Sequence, residues 1–239
     1  MSRYKDTPTK APLQDFEDAR RWVAYSGKPK GDKINKAPIT PRTGKLARNN
    51  DPKTWGTRKA AESRAKDLAK PGWKPGIGIE LGDVGDTFLC GLDFDGCHDD
   101  GLEPWAEAIC KRFNTYAEIS PSGEGVKLFF RVRADDVATI RAAIGKQHRT
   151  EWKRQSHYGV ELHLSTGYFT VTEHRYGSTD ALRLVPADDL LWLVQTAGPA
   201  FLEGHSTRDE TRSADAFRMF LDLFRAGSTE EEAIADLEG

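Results

Sequence analysis

The sequence predicts an α+β fold, on three observations. Two stretches alternate at the period of a half-buried strand: Val126, Leu128, Phe130 and Val132 against Lys127, Phe129, Arg131 and Arg133, and Val160, Leu162 and Leu164 against Glu161, His163 and Ser165. A helical period stands between other strand-like segments, clearest where Trp105, Ile109 and Phe113 recur every fourth residue behind Pro104. A short strand at 76–81 turns at 82–86 into a second at 87–95, which gives a hairpin order. A chain of 239 residues, 38% of them apolar, buries one good core and a small appendage.

Taken in order, residues 1–12 are polar, contain two prolines and form an arm. Phe16, Ala19 and Val23 line a short helix, and 22–25 pass into a strand. The stretch 28–50 is rich in Lys, Pro and Gly and cannot build a core of its own, so its order must come from packing or a ligand. Asp51-Pro52 starts a basic helix over 55–68, which Pro71-Gly72 ends. After the 76–95 hairpin, the helix from Pro104 leads to a short strand at 116–119, a Ser-Pro-Ser-Gly-Glu-Gly turn at 120–125 and the strand 126–133. A helix follows over 135–144, with Val137, Ile140 and Ile144 apolar, then a second basic loop at 146–157. Strands at 159–165 and 168–172 are joined by Thr166-Gly167, and Pro186 opens a helix running through Trp192. Residues 204–212 read as a linker. Beyond it, 213–226 carries Phe217, Phe220, Leu221 and Phe224 on one stripe and 228–237 is a second helix, together a C-terminal helical appendage. The expected division is a main domain over 1–203, with 16–75 as its basic N-terminal module, and a tail at 204–239 that continues in a longer parent chain.

The formal net charge of -2 hides an asymmetry. Residues 28–74 carry 14 Lys and Arg against four acids, leaving 21 against 33 for the rest. A basic lobe beside an acidic body suits a polyanion, because phosphate contacts supply most of non-specific nucleic-acid affinity; a solvated lysine-rich surface has the same composition. Cys90, Cys97 and Cys110 are odd in number with no Cys-x-x-Cys pair, which excludes a disulfide framework, and Cys97-His98 with Cys110 lacks a fourth zinc ligand. The longest apolar run, 190–194, is too short to span a bilayer, so a cytoplasmic protein without membrane contact is expected.

Asp93 and Asp95 end the strand 87–95 and project to one side of it, with Leu92 and Phe94 on the other. Two close carboxylates repel unless a cation lies between them, and oxygen-only ligands favour magnesium or manganese; alone, the pair also suits a solvated strand end. If the strands of Asp93, Lys127 and Glu161 share one sheet, three carboxylates and a lysine meet on one face beyond a Gly-rich turn. Three carboxylates can hold two divalent ions roughly 4 Å apart for phosphoryl transfer. The turn at Ser122 to Gly125 lets backbone N–H groups approach phosphate oxygens, and Lys127 adds a compact charge.

These residues, in the order Lys-x-Pro, Asp-Pro-x-x-Trp, Gly-Ile-Gly-Ile, Leu-Asp-Phe-Asp, Tyr-x-Glu-x-Ser-Pro-Ser-Gly-x-Gly-x-Lys, Val-Glu-Leu-His and Tyr-Phe-Thr-Val-Thr, resemble the primase-polymerase (Prim-Pol) domain of phage and plasmid replication proteins, in the archaeo-eukaryotic primase superfamily. The likeness covers about residues 16–197. It implies an RRM-like catalytic sheet with a smaller N-terminal α/β module and a cleft between them. It assigns Asp93, Asp95 and Glu161 to catalysis and to two Mg2+ or Mn2+ ions, and Ser120, Ser122, Gly123, Gly125, Lys127 and His163 to the incoming nucleotide. The chain departs from the family pattern with Lys127 for a frequent His, His163 for a Tyr, Gly167 for an Arg and Glu173 for a Gly; Arg is the first residue to restore at 167.

The activity expected is template-directed DNA primase or polymerase chemistry, with single-stranded DNA template and primer and a dNTP or NTP as partners. Lys36, Arg42, Lys45, Arg149, Lys153 and Arg154 are expected to hold template phosphates, and Trp55, Trp73 or Trp152 to stack bases, Trp55 being better suited to a core. A helicase domain or partner is expected to engage the C-terminal helices. Two other readings remain open from the residues: a non-catalytic nucleic-acid-binding replication module and a metal-dependent nuclease.

Overall fold

The computed structural model describes residues 12–30, 33–97, 102–146, 148–155 and 158–203. The arm over 1–11, His98, the linker at 204–212 and both C-terminal helices lie outside them. The described strands are β1 (Trp22–Tyr25), β2 (Lys28–Lys30), β3 (Lys33–Asn35), β4 (Gly76–Glu80), β5 (Gly82–Asp83), β6 (Thr87–Asp95), β7 (Ala117–Ile119), β8 (Val126–Arg133), β9 (Arg149–Gln155), β10 (Tyr158–His163), β11 (Tyr168–Val171) and β12 (Arg175–Tyr176). The helices are α1 (Arg58–Asp67), α2 (Pro104–Phe113), α3 (Ala134–Ile144), α4 (Ala187–Trp192) and α5 (Gly198–Glu203), with a π-helical segment, Leu193–Ala197, between the last two.

A large sheet runs β12-β7-β8-β6-β10-β9, with β5 pairing β6 beyond the end of β10, and a small sheet runs β1-β4-β11. One face of the large sheet makes the main core. Cys90, Leu92 and Phe94 of β6, Leu128, Phe130 and Val132 of β8, and Val160 and Leu162 of β10 meet Trp105, Ile109 and Phe113 of α2 there, with Val137 and Ile140 of α3, Leu190 of α4 and Phe201 of α5. Each large side chain so buried contributes about 2–3 kcal/mol. Proline at the first position of α2 and the left-handed Asn114 that ends it fix the helix over its apolar stripe.

The opposite face is covered in part by the small sheet. Leu89 and Phe129 pack against Trp22, Ile79 and Phe169, with Ala61 and Ala65 of α1 closing this second core. The two sheets approach closely at Gly91, where a Cβ would stand 2.3 Å from the Phe169 ring. Phe129, expected on a polar face with Lys127 and Arg131, is fully buried for this reason.

Several expectations need correction. The 76–95 region is no simple hairpin: β4 pairs β1 and β11 in the small sheet, and only the two-residue β5 turns back onto β6. Gly76 and Gly78 leave room for the Tyr25 and Tyr168 rings to lie across β4, which suits it to a sheet centre. The segment 146–157 is not a loop, since Arg149–Gln155 forms the edge strand β9. Within 28–50, β2 and β3 form a two-stranded hairpin and Ile39 bridges Ala24. The helix over 55–68 starts later, at Arg58, because the Thr57 side chain accepts from Ala60 N and caps it there, while Asp51 caps a separate 3-10 turn, Pro52–Thr54. The N-terminal helix reduces to a 3-10 turn, Gln14–Phe16, with Val23 inside β1. Cys90 and Cys97 are buried, Cys110 is partly so, and all three are free thiols. Among the described residues no helix is long and apolar enough to cross a membrane.

Candidate active site

Pairing across the large sheet sets five charged residues in one transverse row. Glu118 of β7 pairs with Lys127 of β8, Lys127 with Asp93 of β6, Asp93 with Glu161 of β10, and Glu161 with Glu151 of β9. Directly paired residues point to the same face, which here is the face beside the small sheet. Asp95 lies two residues further along β6, opposite Gly159. Four carboxylates and a single ammonium in one row form a strongly anionic strip, with like charges directly opposed at Asp93–Glu161 and Glu161–Glu151.

Cations from the flanks relieve it. The Lys127 ammonium donates to Asp93 Oδ2 and sits 4.9 Å from the centre of the Phe169 ring, 8% exposed. The Lys153 ammonium bonds Glu161 Oε1 and reaches Glu151 at 3.0 Å. Gly159 allows this, since a Cβ there would stand 2.8 Å from Lys153 Cγ. His163 Nε2 lies 3.2 Å from Glu161 Oε2, its ring set edge-on to Phe169, and Arg149 stands 3.7 Å from the same oxygen. His163 and Lys153 hold the Glu161 carboxyl well below its ordinary range, at about 2. The Asp95 carboxyl is pushed the other way, first by burial and then by the Asp93 charge.

Asp93 Oδ1 is buried and has no hydrogen-bond partner. An orphaned carboxylate oxygen beside an acid with a raised pKa, in a set of oxygen donors only, fits a hard divalent cation. No three His, Cys, Asp or Glu side chains among the described residues are gathered into a metal cluster, and Asp93 and Glu161 are held by ammonium groups instead. Glu161, Asp93 and Asp95 are the residues that would hold the ion.

The Ser-Pro-Ser-Gly turn packs on the end of β6: a Cβ at Gly125 would come within 2.4 Å of Phe94 O, next to Asp95. Ser120 and Ser122 join hydroxyls at 3.0 Å, and Ser122 is exposed. The Gly123 N–H closes the turn onto Ser120 O at 2.9 Å, so it is spent internally, with Gly123 at φ +88°. Lys36, on the loop after β3, feels Lys127, Asp93 and Asp95; burial and the Lys127 charge lower its pKa. It thus lies within electrostatic range of the carboxylate site, with its side chain exposed. Arg42 and Lys45 are exposed on a turn over α1, where the Arg64 guanidinium donates to Pro41 O at 2.9 Å. Arg149 and Lys153 serve Glu161. Arg154 faces elsewhere, bonding Phe201 O and lying 4.0 Å over the Phe201 ring, which anchors α5.

Of the three tryptophans expected to stack bases, Trp152 lies in the core; Trp55 is half-buried and donates to Arg48 O, and the Trp73 ring has the ammonium groups of Lys28 and Lys70 near it, at 5.8 and 4.8 Å from its centre. Sequence reasoning gave no role to Glu118 and Glu151. Glu118 was visible within Tyr-x-Glu; it is buried, accepts from Tyr116 at 2.6 Å and from Thr172 N at 2.7 Å, and so ties β7 to the end of β11.

No family profile matches the chain. It is similar to a DNA primase-polymerase of Nitratiruptor phage NrS-1, 27% identical over 166 residues. The match takes in 68% of this chain and 20% of that protein, so the chain spans about a fifth of its relative's length. At the level of the family this supports a primase-polymerase domain.

Proposed function

We propose that the chain carries out template-directed nucleotidyl transfer, adding a nucleotide from a nucleoside triphosphate to a 3′-hydroxyl with release of pyrophosphate. The observation that carries this reading is the row Lys127–Asp93–Glu161 with Asp95 beside it. Asp93, Asp95 and Glu161 would hold Mg2+ or Mn2+, which when bound supplies Lewis-acid stabilisation of the attacking and leaving oxygens. The chain's own residues position the reactants. Lys127 can move from Asp93 to a phosphate oxygen once another cation satisfies that carboxylate, and Phe169 keeps the ammonium directed into the site. His163 and Lys153 keep Glu161 ionised and fixed in orientation. The Ser120 and Ser122 hydroxyls, held together in the turn, would receive the polyphosphate. Exposed bases of the 28–74 segment would bind the single-stranded template. Catalysis is then positioning and charge stabilisation without a covalent protein intermediate.

The test is extension of a labelled primer on single-stranded DNA with manganese or magnesium, comparing the parent with Asp93→Asn/Asp95→Asn and repeating without primer. Triphosphate-dependent extension lost in the variant is the expected result, and unprimed products would add primase activity. A folded parent that binds DNA but extends nothing would leave a binding module; strand cleavage without triphosphate would point to a nuclease.

A further inference from the structure

A groove of about 450 Å³ lies outside the carboxylate site, between α1, the start of β4, the end of β11, β3 and the Ser-Pro-Ser-Gly turn. Tyr25, Ile34, Pro121 and Val171 give it apolar walls. Tyr25 is 5% exposed, and its ring lies across β4 because residue 76 is glycine: a Cβ there would stand 2.4 Å from the phenol oxygen. Lys66 and Lys74 line the groove and are exposed, and Lys28 and Lys70 flank the adjoining Trp73. The acid lining the groove, Glu62, is paired with Arg58 at 2.8 Å, a guanidinium that Glu173 shares, so the two exposed lysines outnumber it. The groove borders the site, since Pro121 separates Ser120 from Ser122 and Thr172 is bonded to Glu118 at the end of the charged row.

We infer that this groove holds a nucleotide unit of single-stranded DNA, its base and sugar against Tyr25, Ile34 and Pro121 and its flanking phosphates on Lys66 and Lys74. The volume suits one nucleotide, and an apolar wall beside a line of lysines matches the alternation of flat base and anionic linkage in a single strand. This rests on the proposed polymerase function, and it names the surface that presents the strand.

The test uses the full chain and a fluorescent oligothymidylate, titrated by anisotropy at several salt concentrations. Lys66→Gln/Lys74→Gln is expected to weaken binding about tenfold and to lower the salt slope by about 1.4, two contacts at about 0.7 each, with an unchanged melting temperature. Ile34→Ser is expected to weaken binding with the slope unchanged, because it removes an apolar contact. Affinity and slope equal to the parent's in both variants would overturn the inference. So would loss of binding to a fluorescent nucleoside triphosphate with oligonucleotide binding intact, which would make the groove a mononucleotide pocket. The outcome is independent of turnover: a parent that extends no primer but loses DNA binding in these variants would defeat the polymerase reading and leave the groove standing.

Discussion

The Lys127 ammonium is bonded to Asp93 across the β8–β6 pair, and both side chains are largely withdrawn from water, at 8% and 18% exposure. Removing one member of such a pair leaves the other charge buried and opposed by Glu161 on the next strand. Lys127→Met is therefore expected to destabilise the fold by about 3 kcal/mol in the absence of divalent ions. Manganese should raise the melting temperature of this variant more than that of the parent, because the ion replaces the lost ammonium without competing with it. Equal shifts in the two proteins would place the cation away from Asp93.

Glu80, in the middle sheet strand β4, is fully buried with neither carboxylate oxygen bonded. Burial pushes its pKa up to about 8, offset in part by Arg21. A carboxyl raised in the folded state keeps its proton while the unfolded chain loses it, so stability is greatest below the unfolded value near 4.5 and falls as pH rises towards 8, by about 1.4 kcal/mol per unit over that window. Glu80→Gln should abolish this decline. Melting curves at pH 5.5 and 8.5 check it, and an identical pH dependence in parent and variant would refute it.

How far the sequence disclosed this site depends on which physical constraint acted. Asp93, Lys127 and Glu161 could be set on one face because alternation along a single strand is local and strict. Their neighbourhood also depended on the strand order, which pairing confirms as β8-β6-β10. Register and sheet membership were not legible: β4 and β11 follow their sequence neighbours without pairing with them, since the packing of Phe169 on Gly91 and of Tyr168 over Gly78 draws them into the small sheet. The edge strand β9 was read as a loop because its Lys and Arg mask the alternation that buries Trp152, although charged residues are the usual protection of a free edge. Phe129 looked exposed for the related reason that nothing local announces a second sheet above it.

Gly167 stands where the family pattern has Arg, and Arg was named as the first residue to restore there. The structure gives the opposite expectation. Gly167 has φ +103°, a region that side chains rarely enter, and a Cβ would stand 3.0 Å from His163 Nδ1. Gly167→Arg should cost about 1–3 kcal/mol and displace the imidazole that orients Glu161. Lower thermal stability and slower extension are expected, and a variant as stable as the parent with tighter triphosphate binding would show that the loop adapts.

Lys36 was grouped with the template-binding bases, but its charge environment includes the carboxylates Asp93 and Asp95. The loop carrying it is fixed on both sides: Asn35 Oδ1 accepts from Ala37 N at 2.9 Å, and Ile39 exchanges backbone hydrogen bonds with Ala24. From that anchored position its ammonium lies within electrostatic range of Asp93, Asp95 and Lys127. Two ammonium groups within range of the same pair of aspartates are poorly matched by DNA phosphates, which are spread along a strand, and well matched by a compact polyphosphate that arrives with its own cations. Lys36→Gln should therefore raise the KM for nucleoside triphosphate about tenfold, the worth of one charge-assisted hydrogen bond, while single-stranded DNA affinity stays within about twofold. Lys36→Arg, which keeps the charge, should recover part of the loss. A matching fall in DNA affinity with an unchanged KM would return Lys36 to the template.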